Sequence, residues 1–314
     1  MGTVRKWKNT PREVDVAGAS YMTYWDSITE RLPPARVQWP NGARMAVCVL
    51  FDYQAEMGTT YKTANGLPHM GQITEASYGG RVGIWRLLDI LDTHDIKGSF
   101  NICGVTAEHY PESARAIVER GHEIAGHAYN HEVHWELSEA EEADMIRKTV
   151  AAIRRVTGER IVGWRCPRVE PTPHTFRFLA EEGFVWDGDF LNYDLPYMLD
   201  VGDKSLVEIP YTFSTDDYPF VYGSANRSVG GFPAFRNSYK DLYDILRDEF
   251  DMLYRESATT PKMFAFQNHP LVVGRAHRAR YFEMLLAYMK TYPDIWFARC
   301  IDVANWWLKH YDVR

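Results

Sequence analysis

Only four cysteines, Cys48, Cys103, Cys166 and Cys300, are spread over the 314 residues, and no two form a CxxC pair. That spacing excludes a zinc ribbon and a redox dithiol. Two of the four sit in apolar, strand-like runs where a reduced, buried thiol is expected, whereas Cys166 lies in the more polar WRCPR. The longest apolar run, from Met45 to Phe51, falls far short of the ~20 residues a membrane helix needs. The opening MGTVRKWKN has no leader-like apolar segment, so a cytoplasmic protein without a membrane partner is expected. Lys and Arg are scattered rather than clustered in a chain of net charge −7, which makes nucleic acid an unexpected partner. No glycine-rich phosphate loop follows an early strand. What remains is an ordinary folded composition, 46% hydrophobic and 25% charged, which excludes a disordered chain.

Residues 1–43 hold several prolines and the aromatic side chains Tyr21, Tyr24, Trp25 and Trp39. They are expected to form an N-terminal arm packed on the body or on a neighbouring subunit, because rings left in water forfeit their burial energy. From residue 44 to 314 short apolar runs alternate with amphipathic stretches, beginning with MAVCVLF, VGIWRLLDILDTH, GSFNIC, ESARAIVERG, EIAGHA and SEAEEADMIRKTVAAIRRV. This is the pattern of repeated strand–helix units. About seven alternations predict an α/β fold, a distorted (β/α) barrel, with its site at the C-terminal ends of the strands. Ser138, Pro111 or Glu112, and Asp302 are expected to open helices, and Gly121 and Gly183 to follow them.

The strand ends carry the chemistry. The first strand runs into Asp52, Tyr53 and Glu56. Four of the 11 histidines, His122, His127, His131 and His134, then crowd into one short stretch. The spacing of His127 and His131 places two imidazoles on one side of a helical turn, where both could reach a cation at about 2.1 Å. Asp52 with His127 and His131 makes a divalent site with an open position, of the kind that acidifies water and polarises a carbonyl. A structural ion is the other reading, disfavoured because no cysteine lies nearby. Trp164, Arg165, Arg168 and Glu170 follow a later strand, where the arginines could hold a substrate carbonyl or carboxylate. With Tyr53 they are the candidate substrate-binding residues. His269, in FAFQNHP, could protonate a departing nitrogen. The long loops MGTTYKTANGLPHMG and STDDYPFVYGSANRSVGGFPAF are expected to shape the pocket.

The order FD, GHEIAGHAYNH, WRCPR, QNHP resembles the polysaccharide deacetylase family, carbohydrate esterase family 4. SYGGRVGIWRLLDIL, DFLNYDLPYML, VEIPYTF and NHPLVVGRAHR resemble its subgroup of allantoinase-like proteins, cyclic imide hydrolases and intracellular peptidoglycan deacetylase homologues. The resemblance implies a distorted barrel of about seven units, often oligomeric, that hydrolyses non-peptide C–N bonds. It implies metal ligation by Asp52, His127 and His131, where allantoinase-like sequences carry a non-acidic residue at the Asp52 position. It also implies protonation of the leaving nitrogen by His269. Leu50 and Tyr53 stand where many deacetylases have a second acid, which leaves Glu56, Glu170 or no strong base at all to activate water.

The expected function is therefore metal-dependent hydrolysis of a small cyclic imide, ureide or related amide by a homo-oligomer, a dimer or tetramer. Zinc suits the ligand set, while manganese, cobalt and nickel remain open. Deacetylation of peptidoglycan or chitin-type sugars is the alternative within enzymes, and a non-catalytic ligand-binding barrel the alternative outside them.

Overall fold

A computed structural model describes residues 28–34, 36–57, 70–222 and 238–312, together with the backbone of two short strands, β1 (Asp15–Val16) and β2 (Ala19–Ser20). Tyr21, Tyr24 and Trp25 of the arm, and most of the two long loops, lie outside the described residues. The remaining strands are β3 (Ile28–Arg31), β4 (Met45–Tyr53), β5 (Ser99–Ile102), β6 (Glu123–Gly126), β7 (Gly163–Trp164), β8 (Trp186–Asp187), β9 (Tyr197–Val201), β10 (Lys204–Glu208), β11 (Lys262–Asn268) and β12 (Ile295–Phe297). The helices are α1 (Met70–Tyr78), α2 (Ile84–Thr93), α3 (Gly104–His109), α4 (Pro111–Glu119), α5 (Glu139–Thr157), α6 (Pro173–Glu182), α7 (Asp217–Tyr222), α8 (Tyr239–Glu256), α9 (Ala276–Met289) and α10 (Cys300–Tyr311).

The sheet runs β11-β4-β5-β6-β7-β8-β10-β9-β3 and is parallel up to β10. The last two pairings, β10 with β9 and β9 with β3, are antiparallel. It curls into a half-barrel, and β11 at one end is not paired with β3 at the other. The fold is thus the distorted (β/α) barrel of the sequence reading, opened on one side. β10 is the strand expected at LVEIP, whereas β9, which reaches it through a turn at the left-handed Gly202, was not among the expected strands.

β4 shows why the sequence folds this way. Every residue from Met45 to Tyr53 is buried, because a parallel strand is covered on both faces. Side chains alternate. Val47, Val49, Phe51 and Tyr53 pack toward the helices with Ile84, Leu88 and Phe282. Ala46, Cys48 and Leu50 face the barrel interior with Trp186, Val207 and Ala265. Asp52 continues this interior row at the strand's C-terminal end.

The segment after residue 28 is built into the body. β3 pairs with β9, and Trp39 packs 5.8 Å from Trp296 and 5.9 Å from Trp307 while its indole N–H donates to the Lys262 carbonyl. Ser138 caps α5 through a reciprocal box with Glu141, and Gly158 and Gly183 close α5 and α6 in left-handed conformation. Asp302 does not precede the last helix. It sits in its first turn and accepts the backbone N–H of Arg299, the true cap position.

Gly163 lets the Trp186 indole lie directly on β7, since an added methyl there would overlap the ring. Gly163→Ala is expected to cost about 1–3 kcal/mol through overpacking. A urea midpoint equal to that of the parent would contradict this packing.

Candidate active site

Register assembles the site. Asp52 and Asn101 are partners across β4 and β5, and the Asn101 amide donates to Asp52 Oδ1 at 2.7 Å. The other carboxylate oxygen, Oδ2, stands 3.8 Å from His127 Nε2 and 3.9 Å from His269 Nε2. All three residues are nearly closed to solvent, at 5%, 1% and 6% exposure for Asp52, His127 and His269. Burial alone would raise the Asp52 pKa, but His127, Arg165, His269 and the Asn101 amide together hold it below the usual carboxylate range.

His127 follows β6, and its Nδ1 lies 2.8 Å from the Arg165 carbonyl. A carbonyl can only accept, so Nδ1 carries the proton and donates it. Burial lowers the His127 pKa, which leaves a neutral ring whose Nε2 lone pair faces the Asp52 carboxylate. Two buried, electron-rich atoms in that arrangement call for a cation between them. Ligands each about 2.1 Å from one ion stand roughly 3–4 Å apart, and a backbone carbonyl on the far nitrogen is how ligating histidines are oriented.

The His131 ring centroid lies 5.0 Å from that of His127, with the planes at 67°. Burial, then the neighbouring His127, lower its pKa well below the ordinary value, which is the neutral state a ligand requires. The expected helical turn is absent. Residues 127–131 form a turn in which Ala128 and His131 both adopt left-handed backbone, at φ 60° and 58°. The two rings converge through that turn instead of through helical spacing.

His269 follows β11 and is gripped by Asp217 at the start of α7. Its backbone N–H donates to Asp217 Oδ2 at 3.0 Å and its Nδ1–H to Oδ1 at 2.8 Å. Burial would lower its pKa, but the Asp217 hydrogen bond and the charges of Asp217, Asp216 and Asp52 outweigh it and hold the imidazolium up to about 9. Asp216, whose Oδ1 is 3.7 Å from His269 Nδ1, is pushed up to about 7 by burial, against the pull of His269 and with the push of Asp217. Among the described residues, Asp216, Asp217 and His269 bring their donor atoms within 4.8 Å of one another. Because His269 is an imidazolium with no free lone pair and Asp217 is spent on it, that trio holds a proton more readily than an ion. Grouped imidazoles and carboxylates able to hold a divalent cation are nevertheless present here.

Arg165 lies fully buried after β7, its guanidinium 4.0 Å above the Tyr211 ring, with Nε and Nη1 lacking a hydrogen-bond partner among the described residues. Tyr211 in turn donates to Asp216 at 3.4 Å. Arg168 is half-buried in left-handed backbone, and Glu170 is exposed at the rim.

Three of the sequence-based assignments need correction. Tyr53 is on the opposite face of β4 from Asp52, with its hydroxyl 2.9 Å from Ser113 Oγ, so the two-residue period of the strand turns it away from substrate. Trp164 points to the helix side as well, against Phe184 and His134. Glu56 is engaged by the Tyr110 hydroxyl at 2.7 Å and lies 3.7 Å from His109, both in the α3–α4 region, which draws it away from the role of base. Cys166 is buried and burial pushes its thiol well up, so it is an inert thiol. Asn101, Tyr211, Asp216 and Asp217 were missed. The polar Asn within SFNIC and the paired acids soon after LVEIP were the available signals.

In ion-free protein, the His269 imidazole is expected to titrate near 9, and Asp217→Asn to bring it down toward or below the ordinary 6.5. Because the folded-state pKa is raised, the pair's contribution to stability is complete below about pH 6.5 and is lost as pH rises through about 9. Histidine NMR across this range checks it, and a His269 titration below 7 in the parent protein would rule out the pairing.

Residues 78–184 match the polysaccharide deacetylase family. Over 264 residues, 76% of this chain and 87% of the other, the sequence is 27% identical to the peptidoglycan deacetylase of Helicobacter pylori. Among solved structures, a Mycobacterium smegmatis protein named for the polysaccharide deacetylases is 33% identical, with a TM-score of 0.77 over 87% of this chain and 93% of that one. Puue allantoinase is 29% identical, with a TM-score of 0.78 over 90% and 96%. Shared sequence and a superimposable barrel along nearly the whole length lead to one conclusion: this chain belongs to the polysaccharide deacetylase family and is a hydrolase of carbon–nitrogen bonds other than peptide bonds.

Proposed function

We propose that the chain hydrolyses a ring amide bond of a small cyclic imide or ureide, using a divalent ion, zinc by preference, held by Asp52, His127 and His131. The observation that carries this reading is the neutral His127 Nε2 facing the Asp52 carboxylate at 3.8 Å in a nearly solvent-free site. When bound, the ion would polarise the carbonyl and acidify water. The protein's own groups supply the rest. Asn101 fixes the Asp52 carboxylate, and the Arg165 carbonyl fixes the His127 ring. Asp217 keeps a proton on His269, whose Nε2 side faces the site and can protonate the departing nitrogen. Arg165, with two buried nitrogens that have no hydrogen-bond partner among the described residues, is a donor to a substrate carbonyl. Arg168 and Glu170 stand at the rim, where they can meet the outer part of a substrate.

Two observations support a small substrate. Asp52, His127 and His269 are almost enclosed, which suits a ligand that can be swallowed whole, and the barrel is like that of an allantoinase. The likeness to a peptidoglycan deacetylase supports the second reading, removal of an acetyl group from an amino sugar.

Assays on succinimide, hydantoin and allantoin against N-acetylated chitin oligomers, with and without chelator, decide between them. Imide hydrolysis should fall about a hundredfold or more on chelation and return with zinc, and His127→Ala should lose it by a similar factor. Turnover of the oligomers alone would favour deacetylation, and full activity of His127→Ala without ion would reject the proposed ligand set.

A further inference from the structure

Two motifs have no part in the chemistry described so far, SYGGRVG and the segment after His269, PLVVGR, yet the fold brings them together. Between α1 and α2 the chain makes a π-helical turn, Gly79–Gly83. Wide turns of this kind are uncommon and frequently occur at functional sites. This one lies directly on the loop that follows His269. A Cβ on Gly79 would come 2.9 Å from the Leu271 nitrogen, and one on Gly83 would overlap the Pro270 carbonyl. On the loop's side, a Cβ on Gly274 would overlap the same carbonyl and come 2.5 Å from Gly83 Cα. Backbone therefore rests on backbone, and only glycine fits.

Polar groups latch the contact. Arg86 of α2 donates through Nη1 to the Gly274 carbonyl and, at 2.7 Å, to the Tyr78 hydroxyl. Arg275 stacks its guanidinium 3.7 Å over the Tyr78 ring and pairs with Glu75 of α1 at 2.6 Å. Ala76, Leu271 and Val272 form a small apolar cluster, with Tyr218 packed against it, and the Tyr218 ring is 5.1 Å from that of His269. Within the loop, Val272 and Val273 both donate to the His269 carbonyl, at 2.8 and 2.9 Å. His269 is thus the first residue of a tight turn whose outer side is pressed against the π-turn.

We infer that the π-turn, through Gly83 and Arg86, is a positioning device that sets where His269 stands relative to Asp217 and Asp52. The inference rests on the proton-donor role given to His269 above. Asp217 alone fixes one side of the ring. The loop's backbone needs a second support, and a shift of about 1 Å at a reacting group can cost about a hundredfold in rate.

The test uses the full chain and the variants Gly83→Ala and Arg86→Ala, with Arg86→Lys as the conservative control. The first readout needs no substrate: the downfield Nδ1–H proton of His269, identified by its loss in Asp217→Asn. It should shift in both alanine variants while their circular dichroism stays that of the parent, and Arg86→Lys should return it toward the parent position. The second readout is turnover of whichever amide the enzyme accepts. There kcat should fall about tenfold to a hundredfold with KM within about threefold, whereas an aryl ester with a weakly basic leaving group, which needs no proton from His269, should be spared. If Gly83→Ala does not fold, Arg86→Ala carries the test. An unshifted proton in folded Arg86→Ala, or equal losses on amide and ester, overturns the inference. Because the proton signal is independent of substrate, a wrong choice between imide and acetamide does not alter what that signal decides.

Discussion

A carboxylate oxygen with imidazole nitrogens on two sides, sealed from water at the end of β4, is the constraint around which the rest is arranged. Asp52 Oδ2 faces His127 at 3.8 Å and His269 at 3.9 Å, and the two contacts differ in kind. Toward His127 it meets a lone pair, an arrangement that repels unless a cation lies between. Toward His269 it meets an N–H on a charged ring, an arrangement that attracts. Asp52 thereby divides the site into a half that asks for an ion and a half that holds a proton. Hydrolysis of an amide needs both: activation at the carbonyl and protonation at the nitrogen.

The division comes from what surrounds each imidazole, since the residue type is the same. His127 is buried and His131 half-buried, and among the described residues neither has a carboxylate hydrogen-bonded to its ring, so desolvation wins and lowers both pKa values. His269 is just as deeply buried, but Asp217 bonds both its backbone and its ring, and there the charge wins. Environments that drive like groups to opposite protonation states are how one site carries out acid and base chemistry together. Asp217 is therefore what keeps the buried His269 ring charged.

Much of this was legible in the amino-acid pattern. The alternation of apolar runs with amphipathic stretches pointed to the (β/α) barrel, because parallel strands covered on both faces cannot be written any other way. Placing chemistry at strand ends then found Asp52, His127, Arg165 and His269, which the structure brings to one mouth. Other features were hidden for physical reasons. Tyr53 and Trp164 adjoin site residues in sequence but project to the opposite face, an outcome of a two-residue period that proximity in sequence ignores. The His127–His131 approach depends on left-handed backbone at Ala128 and His131, and no residue pattern announces that for non-glycine residues. Asp216 and Asp217 join the site through a bridge between Asp216 and Gln267, a pairing made by tertiary structure alone.

The left-handed residues also bear on how the site is kept in shape. Among the described residues seven non-glycine positions have positive φ, and five of them, Ala55, Ala128, His131, Arg168 and Val169, lie just beyond strands that feed the site. Each such conformation is sparsely populated for a residue with a Cβ and persists only where its surroundings impose it. The imposing surroundings are at hand: the 104–105 backbone N–H groups donate to the carbonyls of Ala128 and Tyr129, and the Val169 N–H donates to that of Cys166. Stability stored in the barrel is in this way used to hold loops in conformations they would not choose. A barrel whose strand ends are stiff can then vary its outer loops, and with them its substrate, without moving the atoms that break the bond.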